Sequence, residues 1–202
     1  MKYVPVSEGN NPDILAILCL IAAAIAGASS HLVQQYTWFF QLLMLIFLTV
    51  GLYVAVRYKL IRYEYRIEMR NAKETMGDIN YELAARTLMN RQPEEMEFSV
   101  WKQQGKQKQR VECRFYLNEL VAVEHMAVPR KRRKEILRSY GEMHLYTYTV
   151  SMDPPSPYLL VFAADGYGKV GVMIEAEDTL AALMKAIARK TAAAAEMKEE
   201  TV

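Results

Sequence analysis

Two cysteines and three histidines are all that 202 residues offer for metal or thiol chemistry, and neither set has ligand spacing. Cys19 lies in an apolar run and Cys113 on a strand-like face, so the reading is two reduced, buried thiols. His31, His125 and His144 are scattered, with no cysteine or carboxylate at ligand distance along the chain. A phosphate loop is missing as well. "GYGKVG" contains glycines, but it falls between two strand patterns, where a hairpin turn explains it, and no helix follows directly. Nor is there a nucleophile elbow or a Ser/His/Asp or Cys/His grouping. These absences argue against an enzyme and leave no residue to hold a cofactor or a metal.

Charge is absent from two stretches in particular. Residues 14–30 and 38–56 contain no Asp, Glu, Lys or Arg. The first, "ILAILCLIAAAIAGASS", is 17 residues long and follows "NNPD". There Asn11 suits a cap, Pro12 the first helical position and Asp13 the positive end of the helix dipole. The second, "WFFQLLMLIFLTVGLYVAV", is 19 long, with Tyr36, Trp38, Phe39 and Tyr53 at interfacial positions. Crossing a bilayer takes roughly 17 to 25 such residues. Two transmembrane helices are therefore expected, at about 13–31 and 37–57.

A signal peptide is one rival for the first run, but "MKYVPVSEGNNPD" has one Lys and two acids where a signal carries a basic region. The other rival is a core hairpin of a soluble protein. Two charge-free runs only seven residues apart speak against it. Orientation follows from Arg57, Lys59, Arg62, Arg66, Arg70 and Lys73, which come after the second run, while the connector "HLVQQYT" has no Lys or Arg. Basic flanks stay in the cytoplasm, so both termini are expected there, in a multi-pass protein of the cell membrane. Small residues around Ala23 and Gly27 would let the helices approach closely, and Gln41 would bond across their interface. No ionisable group lies within either run, which disfavours a channel or carrier.

Beyond the second run the period changes at once. In "RYEYRIEM", Tyr63, Tyr65 and Ile67 alternate with Arg62, Glu64 and Arg66, as a half-buried strand requires. "MEFSVW" alternates Met96, Phe98 and Val100 with polar residues. "RVECRFYL" places Val111, Cys113, Phe115 and Leu117 on one face, with "KQQGKQKQ" as the turn between these strands. "HLYTYTVSM" alternates again through Met152, and "DPPSP" makes a turn. "YLLVFAADGYGKVGVMIEA" reads as a hairpin around Asp165-Gly166. "INYELAARTLMNRQ" is ambiguous, with a short helix as one reading. At the end, Leu180, Leu183, Met184 and Ile187 recur at helical spacing up to about Lys190, and residues 191–202 are expected to form a flexible tail.

The fold class is therefore α+β: a two-helix transmembrane hairpin (residues 1–57) and a β domain (58–190) of six or seven antiparallel strands closed by one helix. The paired apolar runs, "RYEYRIEM" directly after them and "YLLVFAADGYGKVGVMIEAEDTLAALMKAI" resemble bacterial membrane proteins that carry a pleckstrin-homology-like (PH-like) domain after two spans. The resemblance covers most of the chain and implies a fold but no activity. Residues 79–92 and the "PRKRRKE" insertion depart from it, which leaves strand order open.

The remaining motif is that insertion: Arg130, Lys131, Arg132, Arg133 and Lys134 in a row. On a cytoplasmic domain held close to a bilayer, such a run attracts acidic lipid headgroups, and a solvated loop or helix end is the plain alternative. Residues 74–202 hold 18 basic and 19 acidic side chains, so nucleic acid is not an expected partner. The expected role is a non-catalytic, membrane-anchored interaction or scaffolding module that binds a protein partner or acidic lipid. The alternative is an accessory subunit of a larger membrane complex, or a homo-oligomer, recruited through the hairpin.

Overall fold

The structure is a computed structural model that describes residues 1–5, 11–70, 81–164 and 168–199. Helix α1 (Asn11–Leu32) and helix α2 (Thr37–Ala55) form an antiparallel hairpin, and α2 continues as a π-helical turn, Val56–Leu60. Both are long and apolar enough to cross a membrane. Only 22% of the first apolar window and 11% of the second is buried, whereas a core hairpin of a soluble domain would be mostly covered. Apolar side chains such as Ile14, Ile17, Ile25, Leu45 and Leu52 face outward instead.

The described residues also form eight strands in two four-stranded sheets. In the first, β1 (Lys2–Tyr3), β2 (Ile61–Met69), β3 (Met96–Gln104) and β4 (Arg110–Tyr116) lie side by side, all antiparallel. Strand β1 precedes the helical hairpin and β2 follows it. Lys2 sits opposite Arg66 and Tyr3 opposite Tyr65, and Ile67 N–H donates to the Met1 carbonyl at 2.9 Å. Both ends of the hairpin are thus joined in one sheet.

The second sheet has the order β5-β7-β8-β6, from β5 (Leu120–His125), β6 (Met143–Thr147), β7 (Pro157–Ala164) and β8 (Gly168–Glu175). Strands β6 and β8 run parallel, which corrects the expected all-antiparallel sheet of six or seven strands. "HLYTYTVSM" is not one strand. It leaves the sheet after Thr147, and residues 148–151 cross the end of β8, where the Glu175 carboxylate accepts from Val150 N–H, Ser151 N–H and Ser151 O–H. The chain therefore places β6 outside β8 and returns to β7 on the other side. The Asp165-Gly166 turn lies outside the described residues.

The alternations read from β2 and β3 hold. Tyr63, Tyr65, Ile67, Met96, Phe98 and Val100 are buried in the main core, where they meet Leu160, Phe162, Val172 and Ile174 of the second sheet. Phe98 and Phe115 both stack on Phe162, with ring centroids at 6.2 and 4.5 Å. Val111, expected on the same inward face, is exposed because a β-bulge between Val100 and Trp101 shifts the register of that end of β4. Helix α5 (Asp178–Glu199) buries Leu180, Leu183, Met184 and Ile187 against the core and continues nine residues past the expected end at Lys190. Its Lys190 ammonium donates to the Met89 carbonyl at the end of α3 (Tyr81–Met89), the short helix left ambiguous by the sequence.

Strand β7 is buried on both faces. Tyr158, Leu160 and Phe162 face the main core, while Leu159 and Val161 enter a second cluster with Met126. Helix α4 (Arg130–Ser139) covers that side, with Ile136, Leu137 and Tyr140 packed on the cluster. "PRKRRKE" is thus the start of a helix and not a loop. Arg, Lys, Glu, Ile and Leu all tolerate helix well, and the two apolar residues supply the docking face.

Candidate membrane and headgroup surfaces

Helix α4 divides the basic run between two environments. Arg130, Lys131, Arg132 and Lys134 are exposed, while Arg133 is half-buried and its Nε is covered without a hydrogen-bond partner among the described residues. The helix begins at Pro129 with no side-chain cap and no acid in its first turn. Four consecutive cations at the positive end of a helix dipole oppose the usual preference. A local rule broken in this way is more common at functional positions than at purely structural ones. The result is a dense positive surface with five backbone-ordered cations in one and a half turns.

Register places that surface. Strand β5 ends at His125, opposite Tyr158, and Met126 N–H donates to the Pro157 carbonyl at 2.7 Å. Pro157 in turn lies opposite Glu175, whose carboxylate binds Val150 and Ser151. One residue away, the Thr149 carbonyl accepts from Arg57 Nη2 at 3.3 Å. The start of α4 therefore lies at the end of the second sheet to which the base of α2 is tied.

The hairpin's packing face is built from small residues. Cys19, Ala23, Ala26 and Ser30 of α1 are buried, as are Gly51 and Val54 of α2. A Cβ at Gly51 would stand 3.1 Å from the Cys19 Cβ, and one at Gly27 3.2 Å from the Met44 Sδ. Ala23 and Gly27 lie on the side of α1 turned to α2. Gln41, expected to bond across the interface, is exposed on the outer side of α2 and makes no bond across the hairpin among the described residues. The covered stripe of α2 runs through Phe40, Met44, Phe47, Gly51 and Val54, and Gln41 lies off it. At the base, Lys59 pairs with Asp13 at 2.8 Å. At the other end, Val33, Tyr36, Trp38, Phe39 and Phe40 surround an open, wholly apolar hollow of about 440 Å³.

One polar cluster escaped the sequence reading. On the outer face of the first sheet, Glu64 is only 5% exposed, ion-paired to Lys2 at 2.9 Å and to Arg66, and hydrogen-bonded by Gln109 Nε2 at 3.0 Å. Arg66 lies 4.1 Å over the Trp101 ring, a cation–π contact. Burial alone would raise the Glu64 pKa, but the Lys2 and Arg66 cations outweigh it and hold the carboxyl below the ordinary value. The alternating Arg62-Glu64-Arg66-Glu68 pattern carried the signal, because same-face neighbours two residues apart can pair along a strand. The contribution of Lys2, from 62 residues earlier, was not legible.

The histidines do not converge. His125 packs beside the Tyr158 ring, at 4.9 Å, and His144 lies exposed on β6. Among the described residues no three His, Cys, Asp or Glu side chains group as metal ligands. Burial pushes the Cys113 thiol up to about 11, and burial together with Glu124 pushes the Tyr140 hydroxyl up to about 12. Both groups are therefore held neutral and unreactive at physiological pH. No family model, curated protein or solved structure matches this chain.

Proposed function

We propose that the chain is a non-catalytic, membrane-anchored interaction module. The hairpin α1–α2 crosses the bilayer twice, and the β domain lies on the cytoplasmic side with the exposed cations of α4 against acidic headgroups. The pairing of β1 with β2 carries the topology: with both ends of the hairpin in one sheet, a crossing by α1 must be undone by α2. The basic residues from Arg57 onward favour the cytoplasm for that shared side. Two four-stranded sheets closed by α5 support a PH-like domain, to which α4 and the parallel β6 are additions. Each Lys or Arg near an acidic leaflet gains about 1 kcal/mol, so four exposed cations suffice for a lasting contact.

A second reading has its own observation. Ala24 and Ala28 are exposed on α1, one turn apart and opposite the packing face used by α2. Small residues at that spacing allow close approach of another transmembrane helix, as an accessory subunit or a second copy would need.

The test is gentle purification of the full chain from native membranes, followed by analysis of bound lipid and protein. Arg130, Lys131, Arg132 and Lys134 are changed together to Gln. Acidic phospholipid retained by the wild type and lost from the variant supports headgroup binding. Equal retention refutes it, and a stoichiometric membrane partner kept by both proteins favours the accessory-subunit reading.

A further inference from the structure

The charged side chains of the first sheet are unevenly matched. Away from the helical hairpin, on the outer face, Arg66 pairs with Glu64 and Arg114 with Glu97 at 2.7 Å, while Arg70 lies over the Tyr116 ring. Nearer the hairpin, in register with the inward-facing Tyr63, Lys102 and Arg110 share Glu112. At the hairpin itself Lys59 pairs with Asp13, but other cations there go unmatched. Residues 57–62 and 102–111 together contain seven basic side chains and no acidic one. Of these, Arg62, Lys106 and Lys108 are exposed and have no carboxylate within ion-pair distance among the described residues.

Backbone geometry fixes where these three cations lie. Ile61, the first residue of β2, pairs with Gln104, the last of β3. Gly105 N–H then donates to the Leu60 carbonyl at 2.8 Å, and Gly105 turns the chain with φ of +55°. Leu60 ends the continuous apolar helix that starts at Thr37. The turn between β3 and β4 is therefore hydrogen-bonded to the point at which that helix leaves its apolar environment. Every residue from Gln104 to Arg110 is exposed there.

We infer that the β3–β4 turn is a headgroup-binding element, in which Lys106 and Lys108, with Arg62 beside them, hold the phosphates of acidic phospholipids in the leaflet from which α2 emerges. The inference rests on the reading that the hairpin spans the bilayer. It adds a site separate from α4, on the other sheet. Charge complementarity selects the occupant: an unpaired cationic edge beside an apolar helix end fits an anionic lipid, whose phosphate meets the lysines while its chains lie along the helix. The lysine stems are long enough to follow the interface.

Hydrogen exchange of the full chain in nanodiscs tests this. One disc contains phosphatidylcholine alone and another includes phosphatidylglycerol. Attraction of about 1 kcal/mol per lysine corresponds to roughly fivefold each. Amides 104–110 should therefore exchange about tenfold or more slowly in the acidic disc, and the slowing should vanish in K106Q/K108Q while β2 and β3 keep wild-type protection. Equal exchange of the turn in both discs, with α1 and α2 protected in both, overturns the inference and leaves the membrane reading standing. Rapid exchange throughout α1 and α2 removes the reading on which it rests. If inorganic phosphate added to the phosphatidylcholine disc gives the same slowing, the site takes a free anion and the assignment to lipid is wrong.

Discussion

Replacing Glu175 by Ala should be among the most damaging changes in the β domain, although Glu175 is one charged residue at the end of an apolar strand. Its side chain is 4% exposed and accepts from Val150 N–H at 3.2 Å, Ser151 N–H at 3.1 Å and Ser151 Oγ at 2.7 Å. Its own N–H donates to the Tyr65 hydroxyl at 3.2 Å, which donates to the Tyr148 carbonyl at 2.8 Å. One carboxylate thus fixes the segment that carries the chain over β8, and Tyr65 fastens the same place to the first sheet. A hydrogen bond to a charged acceptor is worth about 1.5–3 kcal/mol, and each buried donor left unpaired costs about 1–3 kcal/mol. The Ser151 hydroxyl can turn to another acceptor, but the two backbone N–H groups cannot. Glu175→Ala should therefore cost about 3–5 kcal/mol. Glu175→Gln keeps one acceptor oxygen and should cost about 1–2 kcal/mol. Guanidinium titration of the full chain in mild micelles, followed by near-ultraviolet circular dichroism, gives both values. Hydrogen exchange should locate the loosening in β6 and residues 148–156. A Glu175→Ala protein within 0.5 kcal/mol of wild type (roughly the scatter of unimportant surface changes) would refute the reasoning, as would a Gln variant as unstable as the Ala one.

Two further outcomes follow from particular contacts. Gly51→Ala should destabilise the hairpin by about 1–3 kcal/mol, because its Cβ would press on a Cβ fixed to the facing helix. Gly27→Ala should cost less, since its neighbour is the flexible end of Met44; thermal midpoints in detergent that rank the two variants the other way would contradict this packing. Glu64 predicts an acid transition. Its folded pKa lies below the ordinary carboxyl value, so its stabilisation is complete above that value and is lost as pH falls through the lower folded one. Protection of the β1 and β2 amides, relative to their intrinsic exchange rates, should therefore fall on acidification below about pH 4.5 in the wild type, with that component absent in Glu64→Gln; an identical pH dependence in both would exclude Glu64 as its source.

Local pattern carried much of the fold. Charge-free runs defined α1 and α2, because a helix of that length without charge needs no partner to be recognised. Period-two alternation marked β2 and β3, and the Leu180-Leu183-Met184-Ile187 stripe marked α5, because each side of these elements meets a single environment. "YLLVFAA" also held a clue. A run apolar at every position needs cover on both faces, and α4 supplies the second cover. The basic start of α4 hid that helix, since six charges in succession, Arg130 to Glu135, show no apolar face until Ile136 and Leu137.

The candidate sites were legible in composition and not in position. "PRKRRKE" could be read as an anion-binding run, but its placement depends on β5, β7 and Glu175. The lysines of "KQQGKQKQ" read only as a polar turn until Gly105 N–H met the Leu60 carbonyl. Gln41, read from its neighbours along the chain, proved to lie on the outside of α2. By itself the sequence determined the two apolar helices, most strands and the closing helix, because each depends on residues within a few positions of one another. Only the tertiary structure decided the pairing of β1 with β2, the parallel β6 and the juxtaposition of cations with the hairpin base. Those depend on hydrogen bonds and ion pairs between residues tens of positions apart, which leave no period in the sequence.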